Sequence, residues 1–364
     1  MYICKQKRVM LSISIIIPIY NVEQYVQRCL ESVITQDVED ADIECIIVND
    51  CTPDDSMAIV HQMISDYHGS IRFEIIEHEK NRGLSAARNS GLTKAVGDYI
   101  FFIDSDDYLL PNCFIYFLDN LKKYPMSDVI IGNAKTCNGE NLLLHHIQEP
   151  WLIDDCNVFE SRMLHHQIYL YAWNKMIRRK ILMDHKILFV EGILYEDQLW
   201  SYELFLYLSF VLLLPKVTYI NENNPSSIVN TTFTQERADL VIRSHTICID
   251  KMLNNPPVLE KYQKNLAVDY LLFLMNILMT GVDLLNRFSV HDDTAKAFLI
   301  VRQRLFSRSI KYGRLILCFF FLLLFPPLCY VQRIHFFRSH YYHIEVVLSK
   351  ICHLTDFLHN KKRL

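Results

Sequence analysis

This 364-residue sequence predicts an α/β fold: a mostly parallel sheet flanked by helices, followed by a helical C-terminal region. Three observations carry the prediction. Between residues 12 and 115, short β-rich apolar runs alternate with segments of helical spacing, the pattern of repeated strand-helix units. Each run ends in a polar loop, and in a parallel sheet such loops emerge along one edge. Beyond Gln235 the chain reads as wholly helical, with Leu240 to Met252 and Tyr262 to Leu285 periodic and apolar.

Ser12 to Tyr20 is the first strand, and the near-continuous apolar stretch at its end suits a buried parallel position. Pro18 closes the run. Asn21 followed by Gln24 has the form of a capping box, after which Val22, Tyr25, Val26, Cys29, Leu30, Val33 and Ile34 recur at helical spacing. The second unit has Ile43 to Asn49 as strand, Asp50 to Asp55 as polar loop and Ser56 to Tyr67 as helix. Ile71 to Ile76 is the third strand, followed by a charged loop, Glu77 to Gly83, and a helix over Leu84 to Leu92. Gly91 costs that helix stability and marks close packing or a bound group nearby. The fourth strand starts near Gly97 and runs into Asp104, Asp106 and Asp107. One more strand is expected from Asp128 to Lys135, then an irregular excursion from Cys137 to Glu149 and helical patches from Phe159 to Leu213.

Three carboxylates within four positions repel one another unless a cation or donor groups sit among them. In extended chain Asp104 and Asp106 project to the same side and Asp107 to the other, so one pair can share a metal or ligand. An acidic, solvated turn is the alternative reading. The polar segments after strands one, two and four (Tyr20-Asn21, Asn49-Asp50 and Asp104 to Asp107) converge on one sheet edge and favour a ligand site. Oxygen-only donors suit Mg²⁺ or Mn²⁺ rather than Zn²⁺.

Composition narrows the class. A formal net charge of −4 leaves no basic footprint for nucleic acid. The 11 cysteines include no Cys-x-x-Cys or Cys/His ligand spacing and read as reduced, mostly buried thiols. No Gly-x-Gly-x-x-Gly or Gly-Lys-Ser/Thr loop follows the first strand, so neither a dinucleotide fingerprint nor a P-loop is supported. Lys5, Lys7 and Arg8 before Val9 to Tyr20 imitate a signal peptide, but Ser12 and Ser14 interrupt the run and a small-residue cleavage site is missing.

Four segments in order resemble the family 2 glycosyltransferases: Ser14 to Asn21, Ile46 to Ser56, Asn81 to Asn89 with its Asn-Arg-Gly-Leu-Ser-Ala-Ala-Arg-Asn, and Phe102 to Asp107. The resemblance implies a GT-A fold, a nucleotide-sugar donor and inversion at the anomeric carbon. It further implies that Pro18, Tyr20 and Asn21 wall a base pocket and that Asp50 accepts a hydrogen bond from the base. Arg88 and the Asn81 loop would close over the nucleotide, Asp104 would bind the ribose or sugar side, and Asp106 would hold the metal. The sequence departs from the family's common Asp-Asp-Gly-Ser-Thr at Asn49-Asp50-Cys51-Thr52-Pro53, where only the second acid is kept.

Inverting transfer needs a base for the acceptor hydroxyl. Gly192 to Trp200 resembles the family's Glu-Asp motif at the start of an acceptor-side helix, which makes Asp197 the expected base and Glu196 its neighbour. The other reading of the pair is a helix N-terminus stabilised by the macrodipole. In Trp173 to Arg179, Lys175 or Arg178 could meet the diphosphate and Trp173 could stack on a sugar, against core packing and a solvated basic face as the alternative.

The boundaries expected are a GT-A domain over 1–235, with 12–115 as nucleotide-sugar half and 116–235 as acceptor half, and a helical region over 236–364. Leu315 to Val331 is uncharged, slightly short of the ~20 residues that span a bilayer, and broken by Pro326-Pro327. Arg302, Arg304, Arg308, Lys311 and Arg314 precede it, and Arg333, Arg338 and Lys361-Lys362-Arg363 follow. Basic flanks on both sides suit a monotopic or re-entrant anchor on an anionic cytoplasmic leaflet, with a buried core helix and a true span as the other readings. The function expected is a metal-dependent transferase of surface-polysaccharide assembly on the cytoplasmic membrane face, moving a sugar from a UDP-sugar to a glycan or lipid-linked glycan. The alternatives are a catalytically silent nucleotide- or glycan-binding module and a nucleotidyltransferase; Tyr20-Asn21-Val22 lacks the Gly-rich basic loop the latter requires.

Overall fold

The computed structural model describes residues 10–36, 38, 41–142, 147–155, 158–159, 162, 168–225, 234–254, 277, 280–281, 283–285 and 287–311. The chain divides into two compact units. The first is built from Met1–Phe159, Gln167–Gly192 and Glu196–Thr231, and the second holds the rest.

In the first unit, β1 (Leu11–Ile19) lies between β2 (Ala41–Asn49) and β4 (Tyr99–Phe102), with β3 (Arg72–Glu77) outside β2, and all four run parallel. The linking helices α1 (Val26–Ile34), α2 (Ser56–Asp66) and α3 (Leu84–Lys94) fall where periodicity puts them. Ile13 and Ile15 to Ile17 on β1 are essentially inaccessible, as a central parallel strand requires. A Cβ on Gly91 of α3 would lie 2.4 Å from Cγ2 of Ile16, so the close-packing reading of that glycine is the one the fold provides.

Beyond β4 the sheet is mixed rather than parallel. After β5 (Tyr108–Leu109) and α4 (Cys113–Lys123) come β6 (Val129–Thr136), β7 (Trp151–Ile153), β8 (Lys175–Arg178), α5 (Arg179–Asp184), α6 (Glu196–Phe205) and β9 (Val211–Asn221). β8 inserts antiparallel between β4 and β6, and the order across the sheet is β3-β2-β1-β4-β8-β6-β9-β5, with β7 on β9. On β4, Phe101 packs edge-on against Phe114 and Phe117 of α4, while Phe102 meets Phe189 and Trp200 on the opposite face.

The expected capping box of α1 does not form: Asn21 takes a left-handed backbone (φ 55°) and the helix begins at Val26 without a side-chain cap. The turn ahead of the helix is held from the segment after β2, with Val22 N–H donating to Ser56 Oγ at 3.1 Å and Glu23 N–H to Asp54 Oδ2 at 2.9 Å.

In the second unit, α7 (Gln235–Asn254) buries Val241, Ile242, Cys248, Ile249 and Met252, and α8 (Asp292–Lys311) buries Phe298, Val301 and Leu305. Arg304, expected in the basic flank ahead of 315–331, pairs with Asp250 and Asn254 of α7. Among the described residues no helix is long and apolar enough to cross a membrane. Residues 315–331, and most of the expected helix from Tyr262 to Leu285, lie outside the described residues.

Candidate active site

Parallel pairing of β1 to β4 brings their following loops to one edge. Tyr20 (47% exposed) and the exposed Asn21 project there after β1, while Pro18 is buried in the strand opposite Val48 and backs that edge from beneath. After β2, Asp50 is enclosed. Its Oδ1 accepts from His78 Nδ1 at 2.6 Å and from Arg82 N–H at 2.8 Å, and its Oδ2 accepts from Gly83 N–H at 2.7 Å. The donor at His78 must be Nδ1, because an ionised carboxylate only accepts; Nε2 lies 2.9 Å from Ser90 Oγ. Asp50 thus pins the 78–83 loop, on which Asn81 is exposed. Sequence reasoning missed His78, which stands among charged residues with no motif of its own.

The acidic cluster is a turn, not extended chain. Asp107 N–H donates to the carbonyl of Asp104 at 3.0 Å, so the same-side alternation expected of Asp104 and Asp106 gives way to three separately held carboxylates. Asp107, 1% exposed, accepts from Tyr219 Oη at 2.7 Å, from Asn221 Nδ2 at 3.1 Å and from Glu222 N–H at 2.8 Å. It anchors the turn. Asp106 Oδ2 accepts from Asn224 Nδ2 at 3.0 Å, and burial, reinforced by the charge of Asp104, pushes the Asp106 carboxyl above its usual range. A carboxylate whose charge is disfavoured in this way fits a divalent cation that takes one or two protein oxygens and completes its shell with phosphate and water. Among the described residues no group of three or more His, Cys, Asp or Glu is arranged to hold a metal by protein alone.

Asp104 belongs to a different constellation. Arg88 of α3, its side chain 1% exposed, donates through Nη2 to Asp104 Oδ1 at 2.7 Å and through Nη1 to Glu196 Oε1 at 3.0 Å and Asp197 Oδ1 at 2.9 Å. Expected to close over a nucleotide, Arg88 instead lies beneath the edge as the cation joining the strand-end acid to the first two residues of α6. One guanidinium faces three carboxylates. Burial pushes the Asp197 carboxyl up to about 7; Arg88 opposes the shift, and the charges of Glu196 and Asp104 add to it. Glu196 is raised by burial against the same cation.

Residues 14–186 match the family described as glycosyl transferase family 2. The match spans just under half of the chain. The chain is 31% identical over 220 residues to glycosyltransferase GlyA of Streptococcus pneumoniae, covering 58% of this chain and 30% of that protein. It is 29% identical over 202 residues to the poly(ribitol-phosphate) beta-N-acetylglucosaminyltransferase TarS of Staphylococcus aureus, covering 54% of this chain and 33% of TarS. The chain therefore spans about a third of the length of these relatives. The crystal structure of TarS 1–349 in complex with UDP-GlcNAc superposes with a TM-score of 0.61 at 21% identity, over 82% of this chain and 85% of that one. A mannosyltransferase from Pyrobaculum calidifontis, in complex with GDP-Man and Mn²⁺, gives 0.52 at 12% identity over 93% and 86%. These likenesses establish the GT-A fold.

Within the matched stretch, the segment before β8 departs from expectation. Trp173 is 3% exposed, with Tyr219 stacked on it at 4.5 Å and Tyr171 at 4.9 Å, so its ring is not free for a sugar. Lys175 is fully enclosed, its Nζ donating to the Tyr171 carbonyl and lying 4.2 Å from the Tyr169 ring centre. Burial brings its ammonium down to about 7, with Asp197 opposing. It sits under the site and does not face a diphosphate. Arg178 pairs in register with Tyr99 and donates to the carbonyls of Pro125 and Ser127, at the opposite end of β4 from the acidic turn. Antiparallel β8 points its basic end away.

Proposed function

We propose that this chain is an inverting, metal-dependent glycosyltransferase that moves a sugar from a UDP-sugar to a glycan or lipid-linked glycan in surface-polysaccharide assembly. One observation carries the reading: Arg88 ties Asp104, at the end of the strand that delivers the acidic turn, to Asp197 at the start of α6. A carboxylate for the donor side and one for the acceptor side are thereby held in a single buried ion cluster, which a binding module has no need of.

In this reading Asp197, raised to about 7, accepts the proton of the acceptor hydroxyl. The hydroxyl oxygen forms its bond to the anomeric carbon as the bond from that carbon to the diphosphate oxygen breaks, and UDP leaves with the electron pair on the opposite face. Arg88 keeps Asp197 oriented and limits its proton affinity. Asp106, with Asn224 steadying it, would hold Mn²⁺ or Mg²⁺, and the bound ion supplies neutralisation of the leaving diphosphate. Tyr20, Asn21 and the Asn81 loop line the edge where the nucleotide would lie, on a frame set by Pro18 and Asp50. UDP as the carrier is supported by the UDP-GlcNAc complex of TarS, and a divalent ion by the Mn²⁺ of the Pyrobaculum enzyme. An acceptor at the cytoplasmic membrane face is supported by the uncharged stretch 315–331 and its basic neighbours.

The test is turnover of UDP-, GDP- and dTDP-sugars by purified protein in detergent, with Mn²⁺ or Mg²⁺, beside Asp106→Asn and Asp197→Asn. Asp106→Asn is expected to lose the metal-dependent part of donor binding. Asp197→Asn should keep donor binding and lose transfer by about 10²–10⁴-fold, the usual contribution of a general base. Donor binding without turnover by the unsubstituted protein would leave a silent module.

A further inference from the structure

Trp173 is enclosed, and what its aromatic stack presents to solvent is Tyr171, 48% exposed. We propose that Tyr171 is an acceptor platform, a stacking surface for the pyranose ring of the acceptor's terminal sugar that selects cyclic sugars over linear polyol phosphates. The inference rests on the glycosyltransferase reading above and names the acceptor class that reading leaves open.

Position is the first argument. β8 runs antiparallel to β4, with Met176 opposite Phe101 and Trp173 bridging Phe102, so the residues before Trp173 lie past the carboxyl end of β4, where the acidic turn emerges. The Tyr171 hydroxyl is raised by partial burial and then by the charge of Asp197, and Lys175, which also feels that charge, donates to the carbonyl of Tyr171 itself. The Tyr171 hydroxyl therefore lies within electrostatic reach of the proposed base.

Rigidity is the second. The Tyr171 ring lies on Trp173 with planes 11° apart, Trp173 lies on Tyr219 at 5°, and the Tyr219 hydroxyl donates to Asp107. The backbone is held as well, by Ser201 Oγ donating to the Leu170 carbonyl at 2.5 Å. Single exposed aromatics are ordinary on protein surfaces. This one is backed through two further rings on the acidic turn and pinned at consecutive carbonyls.

Chemistry is the third. A pyranose presents a flat patch of axial C–H groups that matches an aromatic face, and binding it freezes few torsions. A linear polyol has no such face and loses several rotors on ordering. Its phosphates would also approach Asp104, Glu196 and Asp197, whose shared cation Arg88 is already engaged by all three. The proposal thus separates this chain from the poly(ribitol-phosphate) in the name of TarS.

Saturation-transfer NMR on the full chain tests this without requiring turnover. The probes are methyl β-glycosides of glucose, galactose and N-acetylglucosamine, with ribitol 5-phosphate as the polyol. Saturation concentrated on one face of a pyranoside, weakened about tenfold in Tyr171→Ala and kept in Tyr171→Phe, is the expected result, the size following from loss of one aromatic contact. Equal saturation of ribitol 5-phosphate, no pyranoside saturation at all, or a footprint indifferent to Tyr171→Ala would each overturn the platform. Turnover of UDP-sugars by the unsubstituted chain is read separately. A pyranoside footprint without turnover would sink the transferase reading and leave the binding surface standing.

Discussion

Arg88→Met deletes the guanidinium while keeping much of the apolar stem, and leaves Asp104, Glu196 and Asp197 without the cation that joins them. Removing one partner of a buried ion pair costs ~3–5 kcal/mol. The three carboxylate side chains are 25%, 10% and 17% exposed, so water recovers part of that, and about 3 kcal/mol is expected at neutral pH. For a unit of roughly 200 residues, where ~1 kcal/mol moves Tm by ~2–4 °C, the loss is about 6–12 °C. Its pH dependence carries the diagnosis. Asp197 is raised to about 7 and Glu196 is raised by burial even with Arg88 present, and removing the cation raises the folded-state pKa of both further. An acid with a raised folded pKa destabilises while ionised, and that cost disappears as pH falls through the folded pKa. The deficit should therefore be largest at pH 8 and shrink towards pH 5, read by differential scanning calorimetry of parent and variant across that range. A deficit of the same size at pH 5 and pH 8 would mean that Arg88 acts through packing, and no deficit at pH 8 would remove the ion cluster from the account of stability.

Three further expectations are open to direct measurement. With Asp197 as base, kcat/KM for transfer should climb as pH rises through about 7, because the deprotonated form is the active one; a profile flat from pH 6 to 8 would count against it. Trp173→Ala should cost ~3–5 kcal/mol in chemical denaturation, as an enclosed aromatic, with Trp173→Phe costing less. Gly91→Ala places a methyl 2.4 Å from Ile16 and should destabilise by about 1–2 kcal/mol, an overpacking cost reduced by alanine's better helix propensity. A stabilised Gly91→Ala protein would show that β1 and α3 have slack.

The strand-helix units of the first half were legible because period and length act locally: β1, β2, α2, α3 and β6 all fall within a few residues of where their patterns put them. The edge on which the loops converge followed from parallel pairing alone. What stayed hidden depends on distant partners. Arg88 sits in a recognisable motif, yet its bonds to Glu196 and Asp197 join residues 108 and 109 positions apart, and no local pattern announces them. The start of α1 misled for the same reason, since the turn ahead of it is held by residues that follow β2. β8 escaped because four residues inside a Trp-Asn-Lys motif do not reveal their direction, and direction decides that Arg178 leaves the site. For Trp173 and Tyr171 the residue types were visible, but which ring is covered is a property of packing.

The anchors of the acidic turn have a temporal consequence. Asp107 is held by Tyr219, Asn221 and Glu222, and Asp106 by Asn224, up to 118 residues downstream. Translation proceeds at ~5–20 residues per second, so roughly 6–24 s separate synthesis of the acids from synthesis of the residues that fix them. During that interval a nascent chain carries Asn21, Asp50, Arg88 and the whole Asp104 to Asp107 run with the turn still unanchored. Truncation between Asp107 and Tyr219 would freeze the chain in that condition, with its donor motifs present and its carboxylates unheld.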